Sequence, residues 1–335
     1  MTDTSRRLVL AQRPEGMVGD GDVRLETGSV PEPADGEAVI RIEWISIDPT
    51  IRTWMDDAPG YLPPIEIDAV VRAGAIGTVV ASKSDRYPVG ATAFGMMGWQ
   101  DHAIVDEGEN TAQIVPDGVD PTAAISVFGV TGMTAYFGLL DIGRPKEGDT
   151  VVVSGAAGAT GSVVGQLAKA KGAGKVIGIA GGPEKCAWIT DELGFDAAID
   201  YKTEDVGARL RELCPEGIDV YFDNVGGEIL DQCLANLGMR ARVALCGAIS
   251  SYNDRGATYG LKNTSVLITK RARMEGFLIL DYLDRFAEAQ AEMFGLVLEG
   301  KVKHSVHVVE GLEHATDALN LLFTGGNTGK VIVKV

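Results

Sequence analysis

A glycine-rich stretch is the part of the sequence whose residue types and spacing most directly indicate chemistry. Residues 154–166 read SGAAGATGSVVGQ. The marked positions of the dinucleotide fingerprint G-x-G-x-x-G fall on Ala156, Gly158 and Gly161, with Gly155 just before them. The second position lets the backbone approach a pyrophosphate, and the third lets the helix pack close to the strand. The predicted phosphate-binding loop consists of Gly155, Ala156, Ala157, Gly158, Ala159, Thr160 and Gly161.

The surroundings of this loop distinguish a phosphate-binding site from a flexible bend. Many glycine-rich bends between a strand and a helix bind nothing. Here the apolar run TVVV precedes the loop, a helical stretch begins near Ala159, and further strand–helix units follow. A helix that begins at such a loop presents unpaired N–H groups and its positive dipole end to an anion. This setting favours a bound dinucleotide.

The second strand of the series bears on which nicotinamide dinucleotide is bound. NAD sites carry an acid about 20 residues beyond the glycines, at the end of this strand, where it holds the ribose 2′-hydroxyl. In KVIGIAGGPEK that place falls on Ala180, Gly181 and Gly182, which include no acid. Lys185 lies just beyond them, and a cation there attracts a 2′-phosphate. The sequence therefore favours NADPH, the alternative being that Lys185 is a solvated surface lysine.

Composition argues against a catalytic zinc site and against nucleic acid as a partner. The first 185 residues contain no cysteine and one histidine, His102, so they lack the ligands of a catalytic zinc. The four cysteines include no C-x-x-C pair, which is typical of a reducing compartment. A net charge of −17 argues against nucleic acid as a partner. Any reduction here is predicted to be metal-free.

The sequence contains two regions with different patterns of strands, helices and turns. From 150 onward, β-like runs alternate with stretches of helical composition at 160–172, 183–193, 205–213 and 227–237. Apolar strands alternating with helices predict a doubly wound parallel sheet. Before about 120, short alternating stretches broken by PEPADG and APGYLPP predict an antiparallel, turn-rich region. The tail after 303 has a strand, a helix and a closing strand that could return to that first region.

Two segments that resemble membrane or export signals are assigned otherwise. Residues 121–140 carry no charge but include glycines and threonines, which favours a buried pair of helices over a membrane span. Residues 5–8 resemble a twin-arginine signal, yet the apolar run ends at Ala11, so an N-terminal strand is predicted. We therefore expect no membrane association and a cytoplasmic protein.

Several separated stretches together resemble one family. They are VTGMTAYFGLLDIG, SGAAGATGSVVGQLAKAKG, YFDNVGGEILDQCLANLGMRARVALCGAISSYN, RMEGF, LEGK and GGNTGKVIVKV, with RRLVLAQRPEG and SIDPTIRTWM nearer the N-terminus. They span nearly the whole chain. They resemble the zinc-independent medium-chain dehydrogenase/reductases of the leukotriene hydroxydehydrogenase/prostaglandin reductase branch, which includes bacterial alkenal and curcumin reductases.

The resemblance implies a fold and an activity. The fold is α/β, with a GroES-like, β-rich substrate domain and a doubly wound Rossmann domain. The substrate domain would comprise residues 1–122 and a C-terminal return at 301–335, with the NADP-binding domain at 123–300. The activity would be zinc-free, NADPH-dependent reduction of the C=C bond of α,β-unsaturated ketones and aldehydes. Such a protein would act on a small-molecule substrate, and we expect a homodimer.

Matching motifs carry the family's site residues onto this chain. The substrate pocket would include Tyr61, Met133 and Tyr252. Tyr201 and Asn224 have local alternatives, as a packed strand-end tyrosine and as a turn residue. Besides the glycine loop, the implied cofactor-binding residues are Gly181, Lys185, Tyr201, Asn224, Cys246, Gly247, Ala248, Ile249, Ser250, Tyr252, Phe277 and Asn327.

Enone reduction also asks for a proton donor. Hydride arrives at the β-carbon, negative charge builds on the carbonyl oxygen, and the α-carbon then needs a proton. Tyr252, in AISSYN, is the leading candidate for the donor, the alternative being a tyrosine that only contacts substrate or cofactor. Some members carry a tyrosine five residues before the Met of RMEGF, but this chain has Thr269 there. The resemblance therefore does not carry a tyrosine donor over to this position.

Three other functions are weighed against this one. A short-chain dehydrogenase requires Tyr-x-x-x-Lys, and none of the eight tyrosines is followed four positions later by lysine. A zinc-free quinone reductase shares the Rossmann core and would reduce quinones instead of enones. A non-enzymatic, NADPH-binding sensor is the third alternative, because fold does not fix function.

Overall fold

The computed structural model describes residues 4–254 and 259–335, which form two compact units. The first unit runs up to Ile125 and includes Val306–Asn327 and Val331–Val335. The second unit consists of Ser126–Ser305 and Thr328–Lys330. The domain limits expected from the sequence, after 122 and after 300, stay predictions beside this division.

The strands alternate with helices mainly in the middle of the chain. In chain order, the strands are β1 (Thr4–Leu10), β2 (Val23–Ser29), β3 (Ala38–Ser46), β4 (Ala75–Ser82), β5 (Thr92–Gly95), β6 (His102–Val105), β7 (Ala112–Ile114), β8 (Thr150–Ser154), β9 (Lys175–Ala180), β10 (Ala197–Asp200), β11 (Ile218–Asp223), β12 (Leu237–Leu245), β13 (Arg273–Gly276), β14 (Val306–Glu310) and β15 (Lys330–Lys334). The helices are α1 (Thr50–Trp54), α2 (Pro121–Ile125), α3 (Val130–Phe137), α4 (Ala159–Ala170), α5 (Pro183–Asp191), α6 (Val206–Leu213), α7 (Gly227–Ala235), α8 (Ser265–Lys270), α9 (Phe286–Leu298) and α10 (Ala315–Thr324).

The first unit is built on a sheet of order β14-β15-β3-β4-β5-β7, with β6 also paired to β3 and with β1 and β2 forming a separate antiparallel pair. Strand β3 is buried at most positions, and its Ile40, Ile42 and Ile45 lie in the hydrophobic core of this unit. The predicted strand–helix–strand tail is confirmed, because β15 pairs antiparallel with β3, with Ile332 opposite Ser46. Helix α10 covers this core with buried Ala315, Ala318 and Leu319.

The second unit is built on a parallel sheet of order β10-β9-β8-β11-β12-β13. This is the doubly wound Rossmann order, in which β8 is the first strand and the order reverses beside it. Val151, Val152 and Val153 of β8 are fully buried, as expected of a strand covered on both faces. The predicted fold class is therefore confirmed. Strand β13 was not predicted, because RMEG is short, polar and without an alternating pattern.

The uncharged stretch at 121–140 forms helices, as predicted. Helices α2 and α3 occupy most of it, and a π-helical turn follows at Gly138–Gly143. A side chain at Gly138 would collide with the rings of Phe222 and Phe277, so close packing requires glycine there. Among the residues that the structure describes, no helix is long and apolar enough to cross a membrane.

Candidate cofactor site

The glycine loop joins β8 to α4 as the sequence predicts. Strand β8 ends at Ser154 and α4 begins at Ala159. Gly155 has φ +58°, a left-handed conformation that glycine adopts without steric cost. Gly158 is the extended N-cap residue of α4 and, as a glycine, provides no side-chain cap. The N–H groups at the start of α4 therefore lack a side-chain cap, which is the arrangement that accepts an anion.

Gly161 brings α4 against the strand end. A Cβ at this position would overlap the Gly155 carbonyl oxygen and lie 2.9 Å from Ala156 Cα. The helix start can thus lie directly over the loop only because residue 161 has no side chain. This is the close-packing role of the third glycine in a dinucleotide fingerprint, so the loop fits a bound pyrophosphate.

The chain's tail also contacts the loop. The Gly329 N–H donates to the Ala157 carbonyl oxygen at 2.8 Å, and Gly329 forms a parallel bridge with Gly158. Gly329 has φ +71°, and a Cβ there would overlap the Ser305 carbonyl oxygen. The sequence predicted a role for this GGNTGK segment only through Asn327. The Gly329 contact had no local signal, because its partner lies about half the chain away.

A buried network fixes the carboxyl ends of β8 and β11. Asp223 accepts hydrogen bonds from the Ser154 hydroxyl at 2.9 Å, from the Tyr221 hydroxyl at 2.6 Å and from the Gly226 N–H at 3.1 Å. Asn224 donates from its side chain to the Ser154 carbonyl oxygen at 2.7 Å. These bonds hold Asn224, a predicted cofactor residue, directly beside the glycine loop. Sequence reasoning missed Asp223 as the centre of this network.

The CGAIS turn lies against the same strand end. The N–H groups of Cys246 and Gly247 donate to the Asp223 carbonyl oxygen, at 2.9 and 3.1 Å. The Tyr252 hydroxyl accepts the Ala248 N–H at 3.0 Å, which folds the tyrosine back onto the turn. Burial, with a smaller effect of the Asp223 charge, raises the pKa of the Cys246 thiol. Cys246 is therefore a neutral thiol and a poor nucleophile at neutral pH.

Two further predicted residues of this turn, Ile249 and Ser250, are fixed to the segment after β11. The Ile249 N–H donates to the Asn224 carbonyl oxygen at 3.4 Å. The Ser250 N–H and hydroxyl both donate to the Val225 carbonyl oxygen, at 3.1 and 2.6 Å. The predicted turn residues thus lie together at one edge of the sheet, next to the glycine loop.

Two lysines meet where β9 and β10 end. Lys185 lies in the first turn of α5, whose N-cap is Gly182 at φ +100°. Burial lowers the pKa of Lys185, and the positive charge of Lys202 lowers it further. A Cβ at Gly181 would lie 2.8 Å from the Tyr201 ring and 3.0 Å from Lys202 Cε. The site therefore has a second cation, Lys202, that sequence reasoning missed although it directly follows the predicted Tyr201.

An acid also lies at this corner, although β9 itself ends without one. Asp200, at the end of β10, accepts the Gly182 N–H at 2.8 Å, the Lys202 N–H at 3.1 Å and the Thr203 hydroxyl at 3.0 Å. Burial tends to raise the pKa of Asp200, but these hydrogen bonds and the Lys202 charge lower it overall. The carboxylate thus holds the turn in place with its own oxygens.

The structure places the remaining candidates of the second unit as follows. Phe277 follows β13 and packs edge-on against Phe222, with 6.3 Å between ring centroids. Met133 in α3 is fully buried. The hydroxyl of Thr269 donates to the Val266 carbonyl oxygen within its own short helix. The predicted roles of Phe277 and Met133 stay predictions.

Tyr61 and Asn327 belong to the first unit. The Tyr61 ring is about half exposed and packs edge-on against Trp54, with 6.2 Å between centroids. The Asn327 side chain is buried. Their predicted roles, at the substrate and near the nicotinamide, also stay predictions. Within residues 4–254 and 259–335, no group of three or more His, Cys, Asp and Glu side chains is arranged to hold a metal ion.

Comparison with known proteins agrees with this fold. Residues 6–114 match a family model described as the N-terminal domain of oxidoreductase, and residues 159–295 match one described as zinc-binding dehydrogenase. The chain is 40% identical over 336 residues to NADPH-dependent curcumin reductase of Escherichia coli, covering 99% of this chain and 97% of that protein. It is 39% identical to prostaglandin reductase 1 of Mus musculus, covering 96% of each.

Solved structures lead to the same group. The crystal structure of CurA from Vibrio vulnificus in complex with NADPH superposes with a TM-score of 0.93 and 43% identity, covering 98% of this chain and 99% of that one. The fold and the site define an oxidoreductase of the medium-chain dehydrogenase/reductase class. The chain belongs to the zinc-independent branch of that family that contains the prostaglandin, alkenal and curcumin reductases.

Proposed function

We propose that this protein uses NADPH to reduce the C=C bond of α,β-unsaturated ketones and aldehydes. Two features at the carboxyl ends of the parallel strands together support the proposal. The N-terminus of α4, after Gly158, has no side-chain cap, and Lys185 and Lys202 lie together where the neighbouring strands end. A dinucleotide with a third phosphate on its adenosine ribose matches both features, because its pyrophosphate fits the helix N-terminus and its 2′-phosphate fits the two lysines. The names of the curcumin, prostaglandin and alkenal reductases supply the substrate class.

The chain's residues would hold NADPH along the carboxyl edge of the parallel sheet. The α4 start takes the pyrophosphate, since its N–H groups have no side-chain cap. Lys185 and Lys202 take the 2′-phosphate, which relieves their mutual repulsion and raises the lowered pKa of Lys185. Asn224 and the turn at 246–250 line the path toward the nicotinamide. When bound, NADPH supplies the hydride.

Tyr252 is proposed as the residue that stabilises charge on the substrate. As the β-carbon of an enone is reduced, its carbonyl oxygen gains negative charge and a hydroxyl donor stabilises it. The Tyr252 hydroxyl accepts the Ala248 N–H, and a hydroxyl that accepts a hydrogen bond still carries its own proton. The Ala248 bond also orients the ring. Tyr61 and Met133 are proposed as walls of the substrate pocket, with Asn327 and Phe277 at the nicotinamide end.

The test is product analysis with a panel of substrates. The protein is incubated with NADPH and a small enone, a long-chain enal or a quinone, and the products are identified by mass spectrometry and NMR. We expect a saturated ketone or aldehyde. Quinone turnover without enone turnover would favour the quinone reductase alternative, and NADPH binding without oxidation of any substrate would favour the sensor.

The donor role of Tyr252 has its own variant. Tyr252→Phe should lower kcat for a small enone by about 100- to 1,000-fold, the usual effect of removing an oxyanion donor. Its dissociation constant for NADPH should stay within a few-fold of wild type. The control is Tyr259→Phe, whose hydroxyl donates to Asp231 over a long distance of 3.4 Å. Full turnover by Tyr252→Phe would exclude Tyr252 as the donor.

A further inference from the structure

A second candidate binding site lies on the second unit, away from the glycine loop. The glycine loop follows the carboxyl end of β8, whereas this pocket lies where β12 and β13 begin, which is the opposite edge of a parallel sheet. Its volume is about 500 Å³. We call it the arginine pocket, and the described residues that line it are Arg144, Lys146, Arg240, Ala241, Arg242, Arg271 and Arg273.

The charge of the arginine pocket opposes that of the whole chain. Six of its seven lining residues are basic, in a protein with 30 basic and 47 acidic residues. Among the described residues, ion pairs join two of these six cations to acids: Asp149 pairs with Arg242, and Glu275 lies 3.9 Å from Arg273. So many cations around one small volume repel one another, and a bound anion removes that repulsion.

Two of the arginines are direct neighbours across the sheet. Arg242 of β12 is the register partner of Arg273 of β13. Like charges opposite each other destabilise a sheet. Both are anchored to the π-helical turn, since Arg242 Nε donates to the Gly143 carbonyl oxygen at 3.0 Å and Arg273 donates to the Ile142 carbonyl oxygen at 2.6 Å. The buried Nε of Arg273 has no hydrogen-bond partner within the described chain, so a donor is still to be satisfied.

Backbone conformation singles out the same residues. Arg144, Arg240 and Arg271 have φ +47°, +61° and +51°, and the other non-glycine residue with positive φ in the described chain is Asp68. Arg144 and Arg271 end helical segments, at positions that glycine normally occupies. Arg240 lies where the β11–β12 register shifts, as in a β-bulge. Left-handed backbone costs free energy at any residue with a side chain, and such strain gathers at functional sites.

We propose that the arginine pocket binds a small polyanion, a molecule with two or more phosphate or carboxylate charges, at a site separate from the cofactor. Arginine presents a planar fork of donors that matches phosphate and carboxylate oxygens in pairs. The pocket is the size of a small molecule. The chain's net charge of −17 disfavours a polymeric anion such as nucleic acid. Phosphate and carboxylate ligands share this chemistry, and the experiment separates them.

The test titrates wild-type protein with pyrophosphate and, separately, with citrate, at fixed ionic strength. Saturating NADP⁺ is present throughout, so that the phosphate site at α4 is filled. Calorimetry and thermal unfolding should show one saturable site and a rise in Tm with ligand concentration. A stronger response to pyrophosphate identifies a phosphate ligand, and a stronger response to citrate identifies a carboxylate ligand. No saturable response to either anion would overturn the proposal.

Variants locate the site. Arg240→Gly combined with Arg271→Gly removes two cations and the left-handed strain, so we expect a higher Tm without anion and at least a tenfold weaker anion affinity. Arg240→Lys combined with Arg271→Lys keeps the charge but loses the paired donors of the guanidinium groups, so we expect a smaller but measurable loss of anion affinity. This variant locates the site if the glycine variant folds poorly, and an unchanged affinity in it would then overturn the proposal. Asp68→Gly is the control, because it relieves the same kind of strain in the first unit. Its anion affinity should be unchanged.

The KM for NADPH should be the same in all these variants. An anion affinity in the glycine double variant equal to that of wild type would place the ion elsewhere and overturn the proposal. An equal loss of affinity in Asp68→Gly would also overturn it, because the effect would then follow general stability instead of the pocket.

Discussion

At the scale of single residues, the proposed preference for NADPH depends on two lysines, Lys185 in the first turn of α5 and Lys202 just after β10. Burial and the charge of Lys202 keep the pKa of Lys185 low until an anion is near. We predict that Lys185→Ala raises the KM for NADPH by about 10- to 150-fold, the value of one charge-assisted hydrogen bond. Lys202→Ala should act in the same direction. The KM for NADH should not change, because NADH has no 2′-phosphate.

Steady-state kinetics with both cofactors checks this prediction. Lys301→Ala is the matched control, since Lys301 is exposed and forms an ion pair with Glu299, a neighbouring surface acid. Equal increases in KM for NADPH and NADH would mean that Lys185 supports the loop instead of reading the phosphate.

Asp200 is predicted to support the binding of NADPH and of NADH equally. Its carboxylate holds Gly182 and Lys202 in place, so Asp200→Ala should raise the KM for NADPH and for NADH together. We also expect a loss of about 1.5 kcal/mol in the free energy of unfolding at neutral pH, from the lost charged hydrogen bonds.

The pH dependence of that loss follows from the direction of the pKa shift. The pKa of Asp200 is lowered in the folded state, so its stabilisation is full above the ordinary aspartate value of about 3.9 and is lost as pH falls through the lowered value. The free energies of unfolding of wild type and Asp200→Ala, measured with urea, should therefore differ at about pH 7 and converge toward about pH 2. A difference in unfolding free energy that stays constant with pH would contradict stabilisation by the ionised Asp200 carboxylate.

At the scale of elements, the approach of α4 to β8 depends on one missing side chain. Gly161→Ala would push a Cβ into the Gly155 carbonyl oxygen. We predict a loss of about 1–3 kcal/mol in unfolding free energy, as for other overpacked sites, together with much weaker binding of both NADPH and NADH as the helix start moves off the loop. Chemical denaturation and fluorescence titration measure the two effects.

Gly295→Ala in α9 is the control for this change. Outside the backbone of its own helix, a Cβ there would meet no atom of the described residues within 4 Å. The substitution should therefore stabilise the helix by about 0.5–1 kcal/mol. Its cofactor affinity should be that of wild type. Similar effects of the two substitutions would show that helix propensity, and not the close approach at Gly161, controls the outcome.

Most elements of the second unit could be predicted because their signals are local. The helices at α4, α5, α6 and α7 begin and end within a few residues of the expected ranges, since each is bounded by glycine, proline or a strand. Strand β13 was missed because four residues with two charges carry no strand pattern. It is a strand because β12 offers an unpaired edge, which is a tertiary cause.

At the scale of the whole molecule, the C-terminal tail completes the first unit. Strand β15 pairs with β3, and the tail buries Leu312, Ala315 and Leu319 in the core of that unit. We predict that a chain ending at Ser305 fails to form the first unit, because that core is then open to water and β3 has lost a partner. Soluble yield and thermal unfolding of the truncated chain test this.

A truncated chain with the wild-type unfolding transition would contradict the prediction. Replacement of Val335 alone by alanine is a mild control, because that residue is only partly buried at the end of the chain. The expected homodimer stays a prediction at this scale, and light scattering would test it against the chain mass of 35.3 kDa.

The sequence by itself determined the alternation of strands and helices, the glycine loop, the lack of an acid after β9 and the presence of Lys185 there. Each of these depends on residues within about one strand–helix unit, where spacing along the chain equals spacing in space. The antiparallel character of the first region and the return of the tail followed in the same way, from turn residues and an alternating pattern.

Only the tertiary structure decided which distant residues meet. The order β10-β9 brings Lys202 to Lys185, the parallel pairing of β8 with β11 brings Asp223 to Ser154, and the β12–β13 register sets Arg242 beside Arg273. Strand order and register result from packing of the whole sheet against its helices, and no local pattern specifies them. The second cation, the buried carboxylate network and the arginine pocket were therefore absent from any single stretch of the sequence.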